Sequence, residues 1–253
     1  MEIILLTLSA FVAGLVDAVV GGGGLIQLPA LLVAYPSAPL ALLLGTNKFA
    51  CFFGTATAAI RYSRSVEVPG RTVAVAALAA FACSFLGARA VSLLDPAALR
   101  PIVVVVLAAV LVFTLLRPSL GALHAPKLTP RREAVVAALA SGAIGAYDGF
   151  IGPGTGMFLI FAFVCLAGFD FLYASACAKI INAGTNLAAL AYFMPAGSVS
   201  YRLALTMAAA NTLGAFVGSH LSLKRGVPFL RAAFIVIAVA LLLKQAQLLF
   251  ASH

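Results

Sequence analysis

The chain has 253 residues, of which 64% are hydrophobic and only 9% charged, and its formal net charge is +9. A soluble domain carries about 25% charged residues, so the composition excludes one and predicts an all-α polytopic membrane protein embedded in a lipid bilayer. The cations stand singly or in pairs in short loops, as the positive-inside rule leads one to expect of membrane proteins. Without a basic tract, no nucleic-acid partner is expected.

The first apolar run covers 3–34. The N-terminus opens Met-Glu without the cationic start or small-residue cleavage pattern of a signal peptide, so this run is expected to remain in the membrane. Within it lie Asp17 and the four glycines Gly21 to Gly24. A helix-interior glycine costs about 1 kcal/mol relative to alanine, so four in succession predict an unwound segment. In hydrocarbon, bare backbone is tolerated only where it is buried in protein or lines a polar cavity. The next run, 38–60, holds Lys48 near its middle in Gly45-Thr46-Asn47-Lys48-Phe49, and runs at 72–94 and 101–117 follow. Arg117, Pro118, Gly121, His124, Pro126, Lys127, Pro130, Arg131 and Arg132 then mark an exposed connection. Beyond it come 133–168, 171–194, 202–223 and 228–250. The first of these is broken again, at Asp148-Gly149-Phe150-Ile151-Gly152-Pro153-Gly154-Thr155-Gly156, and the second centres on Lys179.

The halves align without a gap. An offset of 131 pairs Asp17 with Asp148, Lys48 with Lys179, Gly14 with Gly145, Gly21 with Gly152, Arg71 with Arg202 and Gly87 with Gly218. Asp and Lys are rare in apolar segments, so these polar pairs argue for an internal duplication, a usual build of secondary carriers. The expected organisation is a first transmembrane repeat at 1–117, a polar linker at 118–132 and a second repeat at 133–253. Each glycine-broken run crosses either once, giving about eight helices in parallel repeats, or as two pieces, giving ten segments in inverted repeats. The loop Lys and Arg residues do not separate these two.

A lysine at the centre of a membrane helix costs about 2.5–3.5 kcal/mol. Lys48 and Lys179 at repeat-equivalent places are therefore expected to face a central cavity and attract a small anion. The alternative is that each forms an internal salt bridge with Asp17 or Asp148. Asn182, Thr185 and Asn186 lie on the same helix face as Lys179, and with Asn47 they are candidate donors to an oxyanion. Gly22, Gly23, Gly154 and Thr155 would line the site with backbone amides. Asp17 and Asp148 suit either of two roles: clamps on freed backbone, or carriers of a coupling proton. Cys51, Cys83, Cys165 and Cys177 lie in apolar runs without CxxC spacing and read as filler. His124, His220 and His253 have no ligand spacing, and the glycine runs lack the Gly-Lys-Ser/Thr ending of a nucleotide loop. Neither a metal nor a cofactor is expected, and no catalytic constellation is present to suggest an enzyme.

Asp17 with the glycine run and Leu25-Ile26-Gln27-Leu28-Pro29, then Gly45-Thr46-Asn47-Lys48, resembles the opening blocks of the TauE/SafE, or sulfite exporter, family. Tyr147-Asp148-Gly149-Phe150-Ile151-Gly152-Pro153-Gly154-Thr155-Gly156 resembles its second-half hallmark, and Lys179 with Asn182-Ala183-Gly184-Thr185-Asn186 continues it. The resemblance covers essentially the whole chain. It implies a multi-pass permease of the bacterial inner membrane that exports sulfite or an organosulfonate, with its site between the repeats. The expected alternatives are an anion channel, or a permease for a non-sulfur organic anion. A homo-oligomer is compatible with all of these.

Overall fold

A computed structural model of the chain describes residues 2–91 and 123–250. The run expected at 101–117 and the start of the linker lie outside the described residues. Helices account for every regular element among them: α1 Glu2–Val20, α2 Gly24–Ala34, α3 Leu40–Ser63, α4 Gly70–Ala90, α5 Pro130–Phe150, α6 Thr155–Ala162, α7 Phe171–Phe193 and α8 Tyr201–Phe250. A π-helical turn, Phe163–Ala167, prolongs α6. Gly226 interrupts α8 with a non-helical backbone (φ 68°, ψ −160°) two residues before Pro228, so α8 is two helical limbs.

Both glycine-broken runs fold as a long helix followed by a short one. Gly21 adopts φ 85°, a left-handed conformation that favours glycine. The chain turns there and sets Gly23 against Ala13 and Asp17 of α1. The eleven residues of α2 are too few to span a bilayer, which takes about 20. In the second run Gly152 and Gly154 both have φ 90°, and Gly154 precedes the first residue of α6. The connection expected at 118–132 ends earlier than its composition suggests, because Pro130 opens α5 as its first residue. Proline suits that position, where its missing N–H has no helical partner to lose. Asp170 caps α7 by accepting from the Tyr173 amide at 2.8 Å.

The most extensive helix packing joins α1 to α8 and α4 to α5. Glycines make both interfaces. Gly214 and Gly218 of α8 lie against the backbone carbonyls of Phe11 and Leu15, while Gly145 and Gly149 of α5 lie against those of Ala80 and Ser84. Small residues four apart let membrane helices approach this closely. Outward faces are apolar: Ile4, Leu8, Leu78, Leu139, Leu205 and Leu213 are all exposed. Asp17, Lys48, Asp148, Lys179, Asn182, Asn186 and Asn211 are buried. Greasy outside and polar within is the arrangement a bilayer imposes, and Ile3–Val20 and Gly70–Ala90 are each long and apolar enough to cross one.

Two glycines separate packing from helix propensity. A methyl group on Gly14 would strike the backbone of Asn211, whereas one on Gly184, within α7, would meet nothing within 4 Å. Gly14→Ala is expected to cost about 1–3 kcal/mol by overpacking. Gly184→Ala is expected to be neutral or to stabilise by up to about 1 kcal/mol. Thermal unfolding of the detergent-purified variants checks both signs.

Candidate functional site

The two chain breaks meet at the centre of the molecule. Gly21 lies against the backbone of Gly156 and Met157, and Gly24 against Pro153. Approach this close leaves no room for side chains, which is the physical need behind the run of glycines. The Tyr147 hydroxyl donates to the Pro153 carbonyl at 2.6 Å and fixes the second break to the end of α5.

Around this junction, α3 contributes Asn47, Lys48, Cys51 and Thr55, and α7 contributes Asn182 and Asn186. With Asp17, Asp148, Thr155 and Gly21, Gly24, Gly152, Gly154 and Gly156 of the breaks, they line a narrow, partly open cleft. Neighbouring residues hold this wall. Gln27, fully buried, accepts from Asn211 Nδ2 at 2.8 Å and donates to the Asn47 carbonyl at 3.4 Å. Asn186 Nδ2 donates to the Asn182 carbonyl at 2.9 Å, across one turn of α7.

Two ion pairs cross between the halves of the chain. Lys48 Nζ lies 2.7 Å from Asp148 Oδ2, and Lys179 Nζ lies 3.6 Å from Asp17 Oδ2. All four residues are buried, with exposures of 2% for Lys48 and Asp148, 0% for Lys179 and 8% for Asp17. The pairs are unequal. Lys179 also donates to the backbone carbonyl of Asp17, and Thr55 Oγ1 donates to the same Asp17 oxygen at 3.2 Å. Lys179 does not reach the cleft wall. Asp148 takes a short bond from Thr155 Oγ1 on Oδ1 (2.6 Å). Its Oδ2 faces the Lys48 ammonium and receives no hydroxyl or amide donor among the described residues.

Of the residues expected at the site, the fold brings Lys48, Asn47, Asn182, Asn186, Gly154, Thr155, Asp17 and Asp148 to the cleft. Lys179 stands behind Asp17, and Gly22 and Gly23 are not on the wall. Thr185 turns its hydroxyl back to the Asn182 carbonyl at 3.0 Å while its own carbonyl accepts from Ser84 at 2.8 Å. Neither carboxylate clamps the following helix: α2 and α6 begin without a side-chain cap. Cys51, read from sequence as filler, is on the wall, with Sγ 3.8 Å from Asn47 Oδ1. Its signal was in the sequence, since Cys51 and Thr55 precede Asn182 and Asn186 by the same 131 residues. Gln27 also had a signal, as a lone amide among the apolar residues of α2. No group of three or more His, Cys, Asp or Glu suited to a metal occurs among the described residues.

All-helical in its described residues, with an apolar exterior and a buried charged cleft, the chain has the build of a polytopic membrane protein, and its relatives are named transporters. The chain is a member of the sulfite exporter TauE/SafE family, whose family model matches residues 6–244. It is 34% identical over 240 residues to the probable membrane transporter protein ORF9 of a Sinorhizobium species, covering 94% of this chain and 90% of that one. It is 33% identical over 244 residues to the probable membrane transporter protein YfcA of Escherichia coli, covering 96% and 88%. A probable membrane transporter protein of Haemophilus influenzae is 32% identical over 228 residues, covering 90% and 88%. No solved structure matches. These relatives are bacterial, and an inner-membrane location fits a transporter of this kind.

Removing one member of a buried ion pair leaves the other uncompensated, at about 3–5 kcal/mol. Lys48→Met alone is therefore expected to destabilise strongly, and the neutral double variant Lys48→Met/Asp148→Asn to recover most of the loss. Unfolding midpoints of the two single variants and the double variant, in a double-mutant cycle, test the pairing. Thr155→Val removes the donor to Asp148 and is expected to cost about 1–3 kcal/mol.

Proposed function

We propose that this transporter carries a small sulfur oxyanion or organosulfonate, as an exporter, through a site between two inverted repeats. The observation that carries the reading is the Lys48–Asp148 pair on the wall of a cleft lined by amide and hydroxyl side chains. A tetrahedral or pyramidal oxyanion presents several acceptor oxygens to a compact ammonium and to N–H and O–H donors. Lys48 supplies the charge, and Asn47, Asn182 and Asn186 supply the donors. The family's description as sulfite exporters is consistent with such a ligand.

The repeat reading is supported by where the helices begin. Gly24 and Thr155, Leu40 and Phe171, and Gly70 and Tyr201 each open a helix, and each pair is 131 residues apart. The contacts follow the same relation: α1 packs on α8 as α5 packs on α4, and each lysine reaches the aspartate of the other half. Each glycine-broken run folds as two pieces, and counting α2 and α6 as half-crossing segments gives each repeat the odd number of segments that inversion requires. Alternating access would then rock one repeat against the other around a central site.

Thermal shifts of the detergent-purified protein with sulfite, thiosulfate, sulfoacetate, taurine, ethanesulfonate, sulfate, acetate and chloride test the substrate class. A ligand at 100 times its dissociation constant stabilises by about 2.7 kcal/mol. Sulfite or a sulfonate is expected to raise the melting temperature of the wild type but not of Lys48→Met/Asp148→Asn. A shift by acetate alone would move the assignment to carboxylates, and an unresponsive wild type would remove the anion site.

A further inference from the structure

We propose that Asp148 is the coupling carboxylate of this transporter, taking up one proton for each monoanion that binds at Lys48, whereas Asp17 is structural. The inference rests on the anion-site reading above and deepens it. Two ammonium groups and two carboxylates make up the buried cluster, so its charges already sum to zero. An arriving anion finds no free cation. To engage Lys48 it must displace the Asp148 carboxylate, whose only ion-pair partner among the described residues is that ammonium. Left ionised, the released carboxylate would be a buried and uncompensated charge beside a bound anion, a combination the low-dielectric interior penalises heavily. A proton from solution on Asp148 Oδ2 restores neutrality. That oxygen takes no hydroxyl or amide donor among the described residues, and its residue lines the cleft. The atoms balance simply: one anion and one proton enter the site together and leave together.

Asp17 cannot play this part in the same geometry. Its carboxylate holds Thr55 as well as Lys179, and its backbone carbonyl holds Lys179 a second time. Lys179 is sealed from the cleft, so no anion can replace Asp17 at that ammonium without a larger rearrangement. The other charged and titratable groups around Asp148 are few. Lys48 and Cys51 face it from α3, Asp17 lines the same cleft from α1, and Tyr147 precedes it on α5. From α6 it meets the hydroxyl of Thr155, while α4 packs behind α5 with Ser84 and Ala88 at Gly149 and its Arg89 is exposed.

Ethanesulfonate is the probe, because this strong-acid monoanion carries no proton of its own. Its Kd is measured by titration calorimetry on the detergent-purified full chain across neutral to alkaline pH. With one proton taken up on binding, Kd is expected to rise about tenfold per pH unit. Calorimetry in buffers of different ionisation heat is expected to give one proton per anion, without recourse to any variant. Asp148→Asn is expected to bind the anion with a flat pH profile, and Asp17→Asn to keep the slope. A flat wild-type profile with no proton uptake, or a slope that survives in Asp148→Asn, overturns the coupling and leaves the anion site standing. Absence of ethanesulfonate binding in the wild type at every pH overturns the inference, and the anion-site reading beneath it falls with it only if sulfite and the other anions of the panel also fail to bind.

Discussion

Two lysine ammonium groups inside a membrane protein must be neutralised, and much of the fold's interior can be derived from how that is done. Each cation is met by a carboxylate from the opposite half of the chain. The consequence is mechanical as well as electrostatic. Lys48 on α3 ties that helix to the end of α5, and Lys179 on α7 ties that helix to the end of α1. Neither half can satisfy its own charges in this arrangement, so the halves are bound to one another at the deepest point of the structure. Replacing such a pair with apolar groups is often neutral or stabilising. Keeping both pairs within an apolar chain therefore points to a use other than stability.

The crossing needs room at the centre, and the glycines supply it. Asp17 and Asp148 stand in the last turns of α1 and α5, shortly before Gly21 and Gly152. The chain must then leave each helix without filling the space beside the carboxylate. Left-handed turns at Gly21, Gly152 and Gly154 accomplish this. Backbone contact between Gly21 and Gly156 brings the two breaks together with no intervening side chain. Backbone freed in this way is acceptable at membrane depth because it is enclosed by protein or borders the cleft. The glycine seams between α1 and α8 and between α4 and α5 extend the same economy of volume outward. They bring long helices into backbone contact and keep the polar centre away from lipid.

Much of this is legible in the sequence because charge is rare there. Asp17, Lys48, Asp148 and Lys179 stand out from apolar runs, and the glycine and proline breaks mark where helices end. The helix limits of the described residues follow those runs closely. What cannot be read is which partner each face meets. Asn182, Thr185 and Asn186 share one stripe on α7, yet the asparagines reach the cleft while Thr185 turns to its own helix and meets Ser84 of α4. Helical periodicity assigns a face but not the neighbour across from it, because neighbours come from segments distant in the chain. For the same reason only the packing decides between a free lysine and a paired one. Cys51 passes for filler because a thiol is apolar enough to be at home in the core, although its 131-residue correspondence with Asn182 marks it as a position on the wall.

The two ion pairs differ because their surroundings do. Where Asp148 has Thr155 to hold one oxygen, the residue 131 places earlier is Gly24, which offers Asp17 no hydroxyl. Asp17 draws on Thr55 of α3 instead, and its carbonyl adds a second bond to Lys179. One pair is thus braced by further bonds and keeps its lysine off the cleft wall, while both members of the other line the cleft and meet through a single ammonium–carboxylate contact. On the proposed function, a solute that enters would compete for the second pair without dismantling the first. Competition at a buried pair exacts a charge balance that a surface pair would leave to water and salt. The discrimination available to such a site therefore lies in charge as well as shape: a neutral solute has nothing to offer Lys48 in exchange for Asp148, whereas an anion does.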